Sequence, residues 1–203
     1  MKAVITADII NSTQKSTKSW MDELKKALNI FGEENKDWEI YRGDEFQMIL
    51  EKPEQAFRAA MIIKASLNVK IADAKIAIGL GEISFEGKTI KESNGSAFVN
   101  SGRTLEILKN SKTETLSIKS ENSDFDENFN LIFQLLETSF GKWTESTATA
   151  ILSVLKNPEQ NQQQIAENLG ISQGAFSRSL KRGNIDAVQA TDKYFRRKIA
   201  AFL

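Results

Sequence analysis

Residues 41–50 read "YRGDEFQMIL", and the conformation of this stretch decides the architecture of the first half of the chain. Gly43-Asp44 is turn chemistry, because glycine accepts positive φ and an aspartate side chain bonds its own backbone two residues on. After it, Phe46, Met48 and Leu50 recur at every second position, and "WEIYR" (38–42) stands before it. Two extended runs around a Gly-Asp turn predict a β-hairpin with Asp44 at its tip.

Working outward, "AVITADII" (3–10) is short, apolar and rich in β-branched residues, which predicts a buried strand ending near Asp8. Trp20, Leu24, Leu28 and Phe31 recur at helical spacing. Pro53 opens a second helix with Phe57, Ala60, Met61 and Ala65 on one face. "AKIAIGLGEISF" (74–85) is a strand interrupted by Gly79 and Gly81, and residues 93–109 form a helix with Ser93 or Asn94 as its cap. "ETLSIKS" (114–120) gives a last strand, "DENFNLIFQLLETSF" (126–140) a connecting helix, and the chain is helical from Trp143 onward. The first six elements follow the split βαβ order. The expected fold is an α+β, ferredoxin-like domain over 1–122, a connecting helix over 123–142, and a small all-α helix-turn-helix domain over 143–203.

Composition removes several chemistries. The 203 residues include no Cys and no His, so disulfides, thiolate or imidazole metal sites and a histidine general base are all excluded. A metal would sit on carboxylates and carbonyls, which favours Mg²⁺ or Mn²⁺. No apolar run approaches the roughly 20 residues of a membrane span, and the N-terminus carries no small-residue cleavage site. A cytoplasmic protein with no membrane partner is expected.

Asp8 and Asp44 are the carboxylates to watch. In a ferredoxin-like sheet the first strand and the hairpin are neighbours, and two carboxylates there could bridge divalent ions about 3.5–4 Å apart. Asn11 and Ser12, in the polar turn after Asp8, could hold phosphate through hydroxyl and backbone N–H groups. The alternative for Asp8 is a cap on the following turn, and for Glu45 a solvated position.

The C-terminal half carries a sharper pattern, "QQIAENLGISQGAFSRSLKRG" (163–183). Ile165, Ala166 and Leu169 mark one apolar face, Gly170 permits a tight turn, Ile171 is expected to plug the core, and Ser172 caps a second helix anchored by Phe176 and Leu180. That is the pattern of a helix-turn-helix. Gln173, Gly174, Ser177, Arg178, Lys181 and Arg182 point outward, and Gln and Arg are residue types that read base edges while Lys and Arg hold phosphates. From Ser172 to the end there are seven basic residues against Asp186 and Asp192, in a chain whose 27 basic and 27 acidic residues otherwise cancel. Double-stranded DNA is the expected partner, with Ser172, Gln173, Ser177, Arg178, Lys181 and Arg182 at the interface. A protein-interaction module is the alternative. Single modules bind weakly, so a homodimer is expected.

In order, "TADIINS" (6–12), "YRGDEFQMIL", "AIGLGEI" (77–83) and "NGSAFVNSGR" (94–103) resemble the catalytic domain of class III nucleotide cyclases. With the C-terminal helix-turn-helix, the whole chain resembles the SatD family. The resemblance implies metal ligation by Asp8, the Ile9 carbonyl and Asp44, and phosphate stabilisation by Arg103, eight residues after Gly95. It also implies a nucleoside triphosphate or other nucleotide as ligand and a site between two subunits. The pattern departs from the cyclases in two places. Val99 stands where they carry an asparagine, and Ile40 stands where they carry a base-selecting lysine. Against the Gly-Gly-Asp-Glu-Phe signature of diguanylate cyclases, Arg42 replaces the first glycine and would obstruct a nucleotide or contact its phosphate. Three functions follow as expectations. The first is a DNA-binding regulator that senses a nucleotide with its N-terminal domain. The others are a two-metal nucleotidyl cyclase or nucleotidyltransferase, and a non-catalytic dimerisation scaffold.

Overall fold

The structure is a computed structural model, and it describes residues 1–10, 12, 17–41 and 43–202. Among them are five strands and eight α-helices, a mixed α+β architecture. In chain order these are β1 (Lys2–Ile10), α1 (Thr17–Leu28), β2 (Trp38–Tyr41), β3 (Glu45–Leu50), α2 (Ala56–Asn68), β4 (Asp73–Gly81), α3 (Ser96–Asn110) and β5 (Leu116–Lys119). Then follow α4 (Ser123–Phe140), α5 (Glu145–Lys156), α6 (Gln162–Asn168), α7 (Gln173–Arg182) and α8 (Ile185–Ala200).

The sheet order is β2-β3-β1-β4-β5, with β1 antiparallel to both neighbours and β5 added parallel to β4. Side chains alternate across β1, so its two faces meet different partners. Ala3, Ile5, Ala7 and Ile9 enter the main core beneath α1 and α2. Val4 packs with Ala97 and Phe98 of α3, and the Thr6 hydroxyl bonds that of Ser101 at 2.8 Å, so Asp8 shares the α3 face. Gly79 and Gly81 explain how close α3 comes. A Cβ on Gly79 would lie 2.1 Å from the Ala97 carbonyl, and one on Gly81 2.4 Å from the Ser96 hydroxyl.

Two expected helix starts shift. Pro53 begins a 3₁₀ turn, Pro53–Gln55, and the α-helix follows from Ala56. Neither Ser93 nor Asn94 caps α3: Gly95 is its N-cap, while the Ser93 hydroxyl bonds Thr89 O and Asn94 Oδ1 accepts from Gly95 N. The reason is steric, since a side chain at Gly95 would meet Glu82 O at 2.1 Å.

α2 is buried at eleven of its thirteen residues because it lies between the sheet, α1, α5 and α8. Its Lys64 is fully buried and satisfied by Asp73 Oδ1 (2.8 Å), Ala74 O (3.1 Å) and Thr115 Oγ1 (2.7 Å). Aromatic rings carry the core into the C-terminal helices. Phe57 of α2 stacks on Phe133 of α4 at 5.4 Å, and Phe129 meets Phe195 of α8 edge-on at 5.1 Å. One continuous buried cluster therefore runs from β1 to α8. No described helix is long and apolar enough to cross a membrane.

Candidate functional site

Two groups of residues stand out. The first gathers where β1, the β2–β3 turn and the C-terminal end of α3 meet. Cross-strand register places Asp8 opposite Glu45 on β3 and opposite Lys75 on β4. Ile9 N donates to Asp44 O at 3.0 Å, which ties the hairpin turn to the end of β1, and the Ser12 hydroxyl donates to Asp44 Oδ2 at 2.8 Å. Gly43 supplies the positive φ of +87° that this turn needs.

The positive charge beside these carboxylates comes from two lysines. Lys109 Nζ pairs with Glu45 at 3.0 Å. Lys75 Nζ donates to the Leu108, Lys109 and Ser111 carbonyls at 2.7–2.9 Å, satisfying acceptors at the end of α3 that no further helical turn could reach. Burial raises the pKa of Asp8 above its ordinary 3.8, Lys109 and Lys75 pull it back, and Asp44 and Glu45 push it up. Asp8 is therefore an acid that gains from any cation brought alongside. Among the described residues, however, no group of three or more carboxylates, His or Cys is arranged to hold a metal ion. Asp8, Asp44 and the Ile9 backbone form at most a partial donor set, with most of a hexacoordinate shell left to water or ligand.

Arg103 lies apart from this cluster. Ala97, Ser101, Leu105 and Leu108 face the sheet, so Arg103 emerges on the outer side of α3, exposed and with no partner among the described residues. Asn11 and Arg42 fall outside the described residues. Glu45, Lys75 and Lys109 join the cluster without a sequence motif to mark them, since their roles depend on strand register and on where α3 ends. The one sequence signal is the alternation from Asp8 through the hairpin, which places Glu45 on the neighbouring strand.

The second group lies on α7. A four-residue connection, Leu169 to Ser172, joins α6 to α7, with Gly170 at φ +67°. Asn161 and Gln164 form a reciprocal capping box on α6, and Ser172 Oγ accepts from Ala175 N to cap α7. Ile165, Ala166, Phe176 and Leu180 are buried. Ile171 does not plug the core as expected: it is 43% exposed, because its N–H closes the turn onto Ala166 O while its side chain faces a groove between α5 and α7. Gln173, Gly174, Arg178, Lys181 and Arg182 are exposed and Ser177 is half-buried, so the six share one flank of α7. Arg182 donates to Ser179 Oγ at 3.2 Å, whereas Arg178 and Lys181 have no protein partner among the described residues.

Comparison with curated proteins and with solved structures gives no match. The family model of the SatD family matches residues 2–202, nearly the full chain. The chain therefore belongs to the SatD family.

Proposed function

We propose that this protein is a DNA-binding regulator, with α6 and α7 as a helix-turn-helix and a ferredoxin-like, cyclase-type domain in front of it. The observation that carries the reading is the state of α7. Arg178 and Lys181 stand exposed on one flank with no ion-pair partner among the described residues, on a helix held at its other face by Phe176 and Leu180. Such a helix can enter a major groove with Gln173 and Arg178 toward base edges and Lys181 and Arg182 toward phosphates. The division is 1–122, 123–142 and 143–203, and the active species on a two-part operator is a homodimer.

The nucleotide-sensing role of the N-terminal domain rests on a separate observation, the adjacency of Asp8, Ile9, Asp44 and Ser12. Mg²⁺ or Mn²⁺ would meet Asp8, the Ile9 carbonyl and Asp44, and would supply charge neutralisation for bound phosphates. Enzymatic turnover as a nucleotidyl cyclase or nucleotidyltransferase is the second reading, supported by the same adjacency; in it Arg103, exposed on α3, would serve the site of a second subunit.

Electrophoretic and anisotropy titration of the full chain with genomic duplex fragments tests the regulator. Salt-sensitive binding that weakens in Arg178→Ala and in Lys181→Ala supports it, and unchanged affinity in both variants refutes it. Calorimetry with nucleoside triphosphates and Mn²⁺, comparing wild type with Asp44→Asn, tests the sensor.

A further inference from the structure

The groove between α5 and α7 has a composition that the DNA-binding face alone does not explain. It encloses about 550 Å³, enough for a small organic molecule. Its floor is apolar, formed by Ala150, Leu169 and the exposed part of Ile171. Its α7 wall carries Arg178 and Arg182, and its α5 wall carries Ser146, Thr149 and the carboxylate of Glu145. Two guanidiniums against one carboxylate leave a net positive wall. The Arg178 guanidinium lies over Gly174, one turn earlier on α7.

Ile171 supplies the exposed apolar part of the groove. A helix-turn-helix needs an apolar residue after its glycine to fill the core, yet here that residue turns its side chain into the groove and stays 43% exposed. Apolar surface left open beside two arginines, neither in an ion pair among the described residues, matches one ligand class, an organic anion with an apolar body. We propose that the α5–α7 groove binds such a molecule, with its carboxylate or equivalent anion held by Arg178 and Arg182 and its hydrocarbon part on Ile171, Leu169 and Ala150. The regulatory consequence rests on the DNA-binding reading. The ligand would engage the two arginines that the duplex needs, so each would exclude the other.

The probe is 2-naphthoate, with 2-naphthol as the uncharged control, titrated calorimetrically into the full chain without DNA. Naphthoate should bind in the roughly millimolar range or tighter and naphthol at least tenfold more weakly. Arg182→Ala should weaken naphthoate tenfold or more, and Thr149→Trp, which fills the groove while leaving both arginines, should abolish it with far-ultraviolet circular dichroism unchanged. Equal binding of naphthol, indifference to Arg182→Ala, or no binding at millimolar concentration would overturn the proposal. The first two outcomes would mark an apolar docking surface for protein instead. In a second arm, naphthoate should lower duplex affinity in wild type but not in Thr149→Trp; simultaneous, independent binding would overturn the competition. Absence of duplex binding in every condition would sink the regulator reading while leaving the naphthoate result standing.

Discussion

The side-chain amide of Asn130 pairs with both backbone groups of Ile118, accepting from its N–H at 2.8 Å and donating to its carbonyl at 3.0 Å. β5 is an edge strand, and its outer N–H and C=O groups would otherwise face an open side of the sheet. One residue of the connecting helix α4 thus stands in for a sixth strand at this point. Asn130→Leu leaves both groups unsatisfied in a part-buried place. A loss of about 1–3 kcal/mol is expected, lowering the melting temperature by roughly 3–10 °C. Thermal melts with size-exclusion chromatography check it, and an unchanged melting temperature would mean that water serves β5 equally well.

Lys64 gives a stronger test of the core. Its three acceptors come from β4 and the segment before β5, and Thr115 passes the network on to Glu137 of α4. Lys64→Met removes the cation that joins this group and leaves Asp73 and the Ala74 carbonyl without their buried donor. About 3 kcal/mol or more of stability should be lost, read from urea denaturation midpoints. Lys64→Arg should not rescue it, because a planar guanidinium cannot reach three convergent acceptors as an ammonium does.

Legibility in the sequence varies with the kind of signal. The hairpin at Gly43-Asp44 and the helices carrying Trp20, Phe129 and Phe176 are readable because their periodicity reports burial directly. Ser172 is readable as a cap because capping is local. The burial of Lys64, the inward position of Lys109 and the outward one of Arg103 are not readable. Each depends on which face of a helix meets which strand, and a spacing such as Gly95 to Arg103 says nothing about orientation once the helix start moves to Ser96. Ile171 misleads for a related reason, since turn chemistry fixes its backbone while tertiary packing aims its side chain.

Asp8 makes stability depend on pH with a definite sign. Its folded-state pKa lies above 3.8 because of burial, so the folded form holds the proton more tightly than the unfolded form. The Asp8 contribution to stability is therefore most favourable below this window and declines as pH rises from about 3.8 through the raised value. Asp8→Asn should flatten that decline in urea melts taken at intervals of pH. Mn²⁺ should stabilise wild type at neutral pH and leave Asp8→Asn unmoved if Asp8 contributes to a cation site.

On DNA, Lys181 and Arg178 should behave differently. If the proposed complex forms with Lys181 on phosphate, Lys181→Ala should weaken all duplexes about equally and reduce the slope of log affinity against log salt by roughly 0.9. With Arg178 at a base edge, as proposed, Arg178→Ala should compress the gap between specific and nonspecific duplexes by about 1–3 kcal/mol. Identical behaviour of the two variants would mean that α7 lies along the backbone without reading bases.

The aromatic seam predicts how the chain unfolds. Phe57 touches Phe133 and Phe195, with ring centres 5.4 and 6.2 Å away, so a ring on α2 is shared by the connecting helix and the last helix. Arg58, its neighbour, donates to Leu155 O at the end of α5. With that much core in common, the C-terminal helices should not unfold before the sheet. Trp20 and Trp38 report on the sheet side, and Trp143, whose Nε1 donates to Gly183 O at 3.1 Å, reports on the helical side. Single-tryptophan variants should melt at one shared midpoint in wild-type background. Phe57→Ala removes the common ring and should cost about 3–5 kcal/mol, enough to separate the Trp143 transition from the other two. Separate midpoints already present without that substitution would show that the seam does not couple the two halves.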